Sequence, residues 1–454
     1  MTVSENALTR REWVALACSI GLVPLNSTMI AVAIPAIAQD LAAAPGALVQ
    51  WLVTSYLLVN IVAQSPAGKL GDRWGHARTL ALGQLVFALG SVIGFLAHAL
   101  PLLVAARVLM ALGGAIIVPS AMATVRLRVP EAQRARGFGM FGAVMGLSAA
   151  IGPLVGGEVA MRFGWSALFL VNIAPLAVAG GLSRRNGQWP WQQDPATRKV
   201  ARFDVFGSVL LGMGLTLVVI GARTPSLGLP VVVAGLATLF AFAWWERRVA
   251  DPVVDLKLFT RRAFAAGTLI VGLQNFAMYA LLFELPLVFS HSFGATSAES
   301  GRALLALTLA MVLGSGIGGR IAGRFGLRKA AVIGASIALA GGAVLVRLPL
   351  TSVMGAFPAL VLLGFGLGLT TPAANATLMS AVHAGESGMA SAASSTVRYL
   401  GGIAGVAVVS AMASGQDLLV AHEQGAVIFA LALAIALALA ALIPHKAGAA
   451  TPRV

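Results

Sequence analysis

Three charged residues lie within long apolar stretches of this sequence: Arg107, Glu284 and Arg398. A charge at such a position is costly unless it faces a partner, a cavity or water. A carboxylate there could bind and release a proton, and the arginines could bind an anionic group. Other roles stay open: Arg107 and Glu284 lie close enough to an end of their stretches to reach water, and Arg398 could hold helices together.

Uncharged polar residues accompany these charges. Asn26, Ser27 and Thr28 interrupt the first apolar stretch, and Gln274, Asn275 and Tyr279 precede Glu284. Such side chains can line a cavity, and they can equally hydrogen-bond membrane helices to one another. We predict that a set of these residues lines a substrate cavity: Asn26, Thr28, Gln274, Asn275 and Tyr279.

Composition indicates a membrane protein. Of 454 residues, 58% are hydrophobic and 10% charged, whereas soluble domains carry about 25% charge. The net charge of +15 comes from basic residues in short loops, which is typical of membrane orientation rather than nucleic-acid binding. Cys18 is alone, and the six histidines lie in or near loops without ligand-like spacing. We therefore expect no metal and no cofactor. We find no nucleophile–base set, so we expect no enzyme.

The apolar stretches predict an all-α polytopic membrane protein. About 20 apolar residues are needed to cross a bilayer, which gives fourteen spans, listed next. They are 12–35, 48–67, 79–99, 101–122, 137–160, 165–182, 204–222, 228–246, 264–290, 302–322, 329–348, 355–380, 389–413 and 424–443. If both termini are cytoplasmic, only Arg162, Arg223, Arg302 and Arg347 lie in outer loops. This asymmetry supports the count and the orientation.

The two halves of the sequence repeat one another. Gly68–Arg78 is a basic, glycine-rich stretch that we interpret as a tight turn between spans, and Gly319–Lys329 echoes it 251 residues later. The predicted domains are a six-helix bundle (1–182), a linker with a two-helix insert and a second linker (183–263), a second six-helix bundle (264–443) and a cytoplasmic tail (444–454). Parallel repeats of this kind place a substrate path between the bundles.

Several motifs resemble those of the major facilitator superfamily, and most of all its fourteen-span drug:proton antiporter branch. Besides the turn at 68–78, the matching stretches are Leu25–Pro35, Gln50–Tyr56 and Trp165–Pro175. Arg107–Ala115 resembles the superfamily's buried-arginine motif, with Met110 and Ala111 in place of the usual Gln and Gly. The antiporter-type motif of the fifth span matches at Gly146, Gly152, Pro153, Gly156 and Gly157.

The resemblance implies a fold of two six-helix bundles and roles for individual residues. It assigns a gating loop to Gly68, Gly71, Asp72, Arg73, Gly75 and Arg78. In it, Asp72 would latch the bundles by meeting the helix that begins near Gly388, because helix N-termini favour anions. The alternative is an exposed loop charge. Asn26 stands where the family usually has an aspartate linked to proton handling, and that role cannot be carried over to an amide.

These observations predict a secondary transporter, with proton-coupled efflux of drugs or small amphipathic metabolites by alternating access. Arg107, Glu284 and Arg398 are the candidates for coupling. The alternatives are a facilitator, an exporter of a neutral or anionic metabolite, or a lipid translocase. A membrane sensor or enzyme is a further, weaker reading. We expect a monomer in the bacterial inner membrane, with the bilayer, a small-molecule substrate and protons as its partners.

Overall fold

All regular secondary structure in the described part of the protein is helical. The computed structural model describes residues 8–182, 204–221, 228–249, 252–347, 352–382, 387–412 and 418–443. The predicted linker at 183–203 and the tail at 444–454 lie outside the described residues. The burial of Gly68, the side chain of Asp72 and the loop that precedes Gly388 also lie outside the described residues.

The first half of the chain forms helices α1 to α6. Their bounds are α1 (Arg10–Asp40), α2 (Ser55–Trp74), α3 (His76–Phe95), α4 (Leu100–Arg128), α5 (Glu131–Phe163) and α6, which has two parts, Ala167–Val171 and Ile173–Leu182. A short helix, Pro45–Leu48, and a π-helical segment, Val49–Thr54, lead into α2. Within this half α1 packs on α5, and α4 packs on both α2 and α3.

An insert and the second half complete the chain. The insert contains α7 (Val205–Gly221) and α8 (Gly228–Glu246), which pack on each other. The second half contains α9 (Arg262–Phe293), α10 (Ser297–Phe325), α11 (Leu327–Arg347), α12 (Phe357–Ser380), α13 (Ser387–Met412) and α14 (Leu418–Ala441). Within it, α12 packs on α10 and α11, while α9 packs on α13 and α14.

Every predicted span falls on a helix in the described residues. Twelve of these helices are long and apolar enough to cross a membrane: α1 to α5, α8, and α9 to α14. Two apolar helices are shorter, Ala167–Leu182 and Phe206–Val218. The protein is therefore an all-α, multi-pass membrane protein, and the total of fourteen crossings stays a prediction.

The interpretation of 68–78 as a turn is wrong for most of its length. Helix α2 continues to Trp74, α3 begins at His76, and the chain reverses at Gly75 alone, with φ = 90°. Gly326, with φ = 92°, does the same between α10 and α11. Only glycine adopts this conformation without strain. The basic residues here belong to helix ends, because lysine and arginine are good helix formers.

The helix ends define two faces of the molecule. We call the face where α1 begins and α2 ends the basic face, since Arg10, Arg73, Arg128 and Arg324 lie at helix ends there. The opposite face, where α1 ends at Asp40 and α5 ends at Phe163, is the far face. A bidentate ion pair between Arg128 and Glu12, with Nη2 3.0 Å from Oε2, fixes α4 to α1 at the basic face.

Candidate functional site

Arg107 is fully buried in the first half. Its Nε donates to the carbonyl oxygen of Leu52 at 3.2 Å, and its guanidinium carbon lies 4.3 Å from the ring centroid of Tyr56. Neither Nη1 nor Nη2 has a hydrogen-bond partner among the described residues. The alternative that Arg107 reaches water at the helix end is wrong, because its exposed fraction is 0%. Four donor hydrogens therefore remain available in the protein interior.

The three tyrosines of the chain gather around the two membrane arginines. Tyr56 on α2 lies beneath Arg107, and Tyr279 on α9 is within electrostatic range of both Arg107 and Arg398. Tyr399 on α13 is in turn within range of Tyr279, Tyr56 and Arg398. Residues from four helices, two in each half of the chain, thus lie close together and form one cluster of arginines and tyrosines.

The first span contributes to the same cluster. The hydroxyl oxygens of Ser27 and Tyr279 lie 3.5 Å apart and join α1 to α9. Asn26 is 3% exposed and lies near Tyr56, and its Nδ2 has no hydrogen-bond partner among the described residues. The prediction that Asn26 and Tyr279 face the substrate path is therefore compatible with their positions and stays a prediction.

A cavity of about 150 Å³ lies in the second half. Three predicted residues line it, Gln274, Asn275 and Arg398, together with Thr371 and Asn375 of α12. Its apolar lining is Val271, Met278, Met311 and Leu367. The sequence analysis missed Thr371 and Asn375. Their spacing of four places them on one face of α12, and this polar pair in an apolar stretch was a usable signal.

Thr28 lies away from this cavity. Its hydroxyl donates to the carbonyl oxygens of Pro24 and Leu25 in its own helix, at 3.0 and 3.2 Å. The side chain packs against Gly152, where a Cβ would overlap the Thr28 hydroxyl. Thr28 thus fills the contact between α1 and α5, and the structure does not bring it together with Gln274 and Asn275.

Glu284 pairs with a histidine inside the second half. Its Oε1 lies 3.4 Å from Nδ1 of His422 on α14, and the two residues are 6% and 2% exposed. Oε2 of Glu284 and both ring nitrogens of His422 have no hydrogen-bond partner among the described residues. The alternative of a hydrated Glu284 is wrong, because α9 and α14 bury both groups. His422 lies in the second turn of α14.

The antiporter-type glycines lie where α5 meets two other helices. Gly152 and Gly156 pack on α1, and Gly157 packs on the start of α10, against the carbonyl oxygen of Ser297. From the α10 side, Gly301 packs on the carbonyl oxygen of Pro153. None of these contacts leaves room for a Cβ, so glycine permits the close approach. Helix α5 continues through Pro153.

The α5–α10 contact is tight at the far face and opens towards the basic face. In its middle, the Thr308 hydroxyl donates to the Ala150 carbonyl oxygen at 2.8 Å. Nearer the basic face, a Cβ on Gly146 would lie 4.0 Å from Val312, and one on Gly142 or Gly316 would meet no described atom within 4 Å. At the far face, α13 also meets the short helix Pro45–Leu48 that leads into α2, where the Ser410 hydroxyl donates to the Gly46 carbonyl oxygen at 2.6 Å.

One ion pair joins the halves at the far face. Glu158 on α5 contacts Arg302 on α10 at 3.2 Å and Arg162 on its own helix at 3.1 Å. The spacing of four between Glu158 and Arg162 places the two side chains on one face of α5, which favours this pair. Because the arginine side chains are 56% and 66% exposed, water and salt screen both interactions.

We expect Glu158→Gln to have a small effect. Exposed ion pairs contribute about 0–1 kcal/mol, so the initial rate of substrate transport should fall by less than about fivefold, and the difference should shrink in high salt. Transport assays at 50 and 500 mM salt measure this. Arg162→Gln, which leaves the inter-helix pair intact, is the control. A complete loss of transport in Glu158→Gln would contradict this assignment.

The remaining gating-loop residues lie at the basic face. Gly71 is buried against His76, Arg73 is exposed and Arg78 is half-buried. Because the side chain of Asp72 is outside the described residues, its latch role stays a prediction. No group of three or more potential metal ligands occurs in the described residues.

Long apolar helices that surround buried charges and a polar cavity are typical of polytopic membrane transporters. The chain belongs to the Major Facilitator Superfamily, whose profile matches residues 16–406. The members of this superfamily are transporters, so the protein is a membrane transporter of small molecules. Family membership also confirms the prediction that the protein is not an enzyme.

Similar proteins cover most of the chain. An MFS-type transporter of Bacillus subtilis, YvkA, is 33% identical over 88% of this chain and 90% of its own length. The tetracenomycin C resistance and export protein of Streptomyces glaucescens is 32% identical over 90% of this chain and 77% of its own. The crystal structure of a D-xylose–proton symporter superposes with a TM-score of 0.71 at 14% identity, covering 96% of this chain and 98% of that one. That superposition supports the fold.

Proposed function

We propose that the protein exports drugs or small amphipathic metabolites from the cytoplasm in exchange for protons. Family membership supports transport, and the export role in the name of a relative at 32% identity supports efflux. The proposal includes fourteen membrane crossings, two six-helix bundles formed by α1–α6 and α9–α14, and a monomer in the bacterial inner membrane. The basic face is then cytoplasmic, because positively charged loops are retained on that side.

In this orientation the structure is an inward-open state. The α5–α10 contact and the contact of α13 with the short helix Pro45–Leu48 close the far face, and the glycines near the basic face have space around them. Rocking of the two bundles about the cluster of arginines and tyrosines would close the basic face and open the far face. The latch between Asp72 and the start of α13 belongs to that opposite state.

The buried pair of Glu284 and His422 is the observation that carries proton coupling. Exchange requires a side chain that binds a proton within the membrane and releases it on the other side, and Asn26 cannot do this. One carboxylate oxygen of Glu284, Oε2, has no hydrogen-bond partner among the described residues. The other, Oε1, lies 3.4 Å from the imidazole of His422, a second titratable group. The coupling site is therefore in the second bundle rather than in the first span.

Asn26 favours one alternative, a facilitator without proton coupling. The position that usually carries a carboxylate in the resembling branch is an amide here. If Glu284 and His422 only stabilise the contact between α9 and α14, substrate moves down its own gradient.

Inside-out vesicles distinguish the two functions. We expect an acidic lumen to drive accumulation of a transported drug, and a protonophore to abolish that accumulation within the time of the assay. Lipophilic cations, neutral drugs and organic acids form the panel. Vesicles without the protein correct for passive partitioning. Protein-dependent uptake that only equilibrates the substrate and is indifferent to the pH gradient, for every transported member of the panel, would support the facilitator and reject proton coupling.

A further inference from the structure

We propose that the cavity lined by Arg398, together with Arg107 and the three tyrosines, forms a site for an aromatic molecule with an anionic or strongly hydrogen-bond-accepting group. We further propose that this site discriminates against organic cations. The inference rests on the proposed transport function and names its substrate class. It is carried by the two arginines, the three tyrosines and the location of the carboxylates.

Arg107 supplies an unused set of donors. Its exposed fraction is 0%, yet Nη1 and Nη2 have no partner among the described residues. Leaving buried charged donors unsatisfied is costly, and a carboxylate, phenolate or carbonyl oxygen between the bundles would satisfy them. The fork of a guanidinium fits two acceptor oxygens at once.

Arg398 supplies a second cation next to the cavity. The polar groups that share this cavity with it, Gln274, Asn275, Thr371 and Asn375, are amides and a hydroxyl. Asn275 already donates to the Val271 carbonyl oxygen at 2.8 Å. The net charge of this lining is positive, which attracts an anion and repels a cation.

The carboxylates of the two halves lie elsewhere in the described structure. None lines the cavity. Glu12 binds Arg128, Asp40 accepts from the indole of Trp165, and Glu158 binds Arg302. Glu299 caps α10, Glu284 pairs with His422, and Glu423 is exposed. An organic cation would thus find no described carboxylate beside the cavity.

Aromatic side chains lie close to the arginines and favour a substrate with an aromatic ring. Tyr279 stacks on Phe283 with centroids 6.2 Å apart, and Tyr56 already supports the guanidinium of Arg107. Aromatic rings pack on one another in offset or edge-to-face arrangements. A cavity of about 150 Å³ holds a benzene-sized ring, so we expect one ring there and the acceptor group at the arginines.

The test compares two probes that share a naphthyl ring system and carry opposite charges, 2-naphthoate and 2-naphthyltrimethylammonium. Their dissociation constants are measured by equilibrium dialysis on the full-length protein in lipid nanodiscs, with equal pH on both sides. We expect naphthoate to bind at least tenfold more tightly. A cation that binds as tightly as the anion would overturn the inference. No gradient is present, so the result is independent of proton coupling.

Three arginine variants test the residue assignment. Arg398→Gln should weaken naphthoate binding at least tenfold, Arg398→Lys should retain most of it, and Arg11→Gln, which removes an exposed charge at the start of α1, should change nothing. Unchanged naphthoate binding in folded Arg398→Gln would reject Arg398 as the anion-binding group. If Arg398→Gln does not fold, the lysine variant and the comparison of the two probes on the unaltered protein still decide the charge preference.

Discussion

Replacing Glu284 by glutamine is expected to abolish accumulation driven by a pH gradient while preserving substrate exchange. Glutamine keeps the shape of the side chain and cannot bind or release a proton. A difference of two pH units stores about 2.7 kcal/mol per proton, enough to hold substrate at about a 100-fold concentration ratio. In Glu284→Gln we expect that ratio to fall to about 1. Proteoliposomes with an imposed pH gradient measure the ratio, and counterflow of labelled substrate measures exchange.

Two variants on α14 provide the controls for this prediction. Glu423→Gln removes an exposed carboxylate next to His422 and should leave the ratio unchanged. His422→Gln keeps the titratable carboxylate but removes its neighbour at 3.4 Å. We expect gradient-driven transport to persist with a displaced pH profile. If Glu284→Gln still accumulates substrate against its gradient, the proton site lies elsewhere.

The helices and their order could be predicted from the sequence because each is a long apolar run. The same reasoning failed at 68–74, where charged residues suggested a loop. In the structure these residues extend α2 to Trp74, since a helix that leaves the membrane can continue with lysine and arginine. The chain reverses between α2 and α3, and this reversal requires a residue with positive φ, which is Gly75. Nothing in the sequence distinguishes Gly75 from Gly68 or Gly71 as the site of the reversal.

The sequence allowed the individual residues of the candidate site to be predicted, but not which of them contact one another. Arg107, Glu284 and Arg398 were recognisable because a charge in an apolar stretch is costly. The partner of Glu284 was not, because the contact between α9 and α14 joins distant parts of the chain. His422 lies in the second turn of α14 and so near the polar end of its apolar run. Whether a residue at that position is buried depends on which helix packs against it, and in this protein α9 buries His422.

The contact between Gly301 and Pro153 links the packing of α5 and α10 to the transport cycle. Gly301 abuts a backbone carbonyl oxygen, which cannot rotate away as a side chain could. A methyl group there overpacks the contact by about 1–3 kcal/mol. The gain in helix propensity on replacing glycine by alanine applies in both conformations, so it does not bias one against the other. The cost falls on the conformation that is closed at the far face.

Gly301→Ala is therefore expected to shift the protein towards the state that is open at the far face, by about 5- to 150-fold. Electron-spin distance measurements between labels at Phe163 and His291, in a Cys18→Ser background, report the opening, because both positions are exposed at far-face helix ends of opposite halves. The mean distance should increase, and transport should fall because the inward-open state is rarely reached. Gly181→Ala, where a Cβ meets no described atom within 4 Å, should leave both unchanged. If Gly301→Ala retains the short distance and full transport, the α5–α10 contact is not the gate.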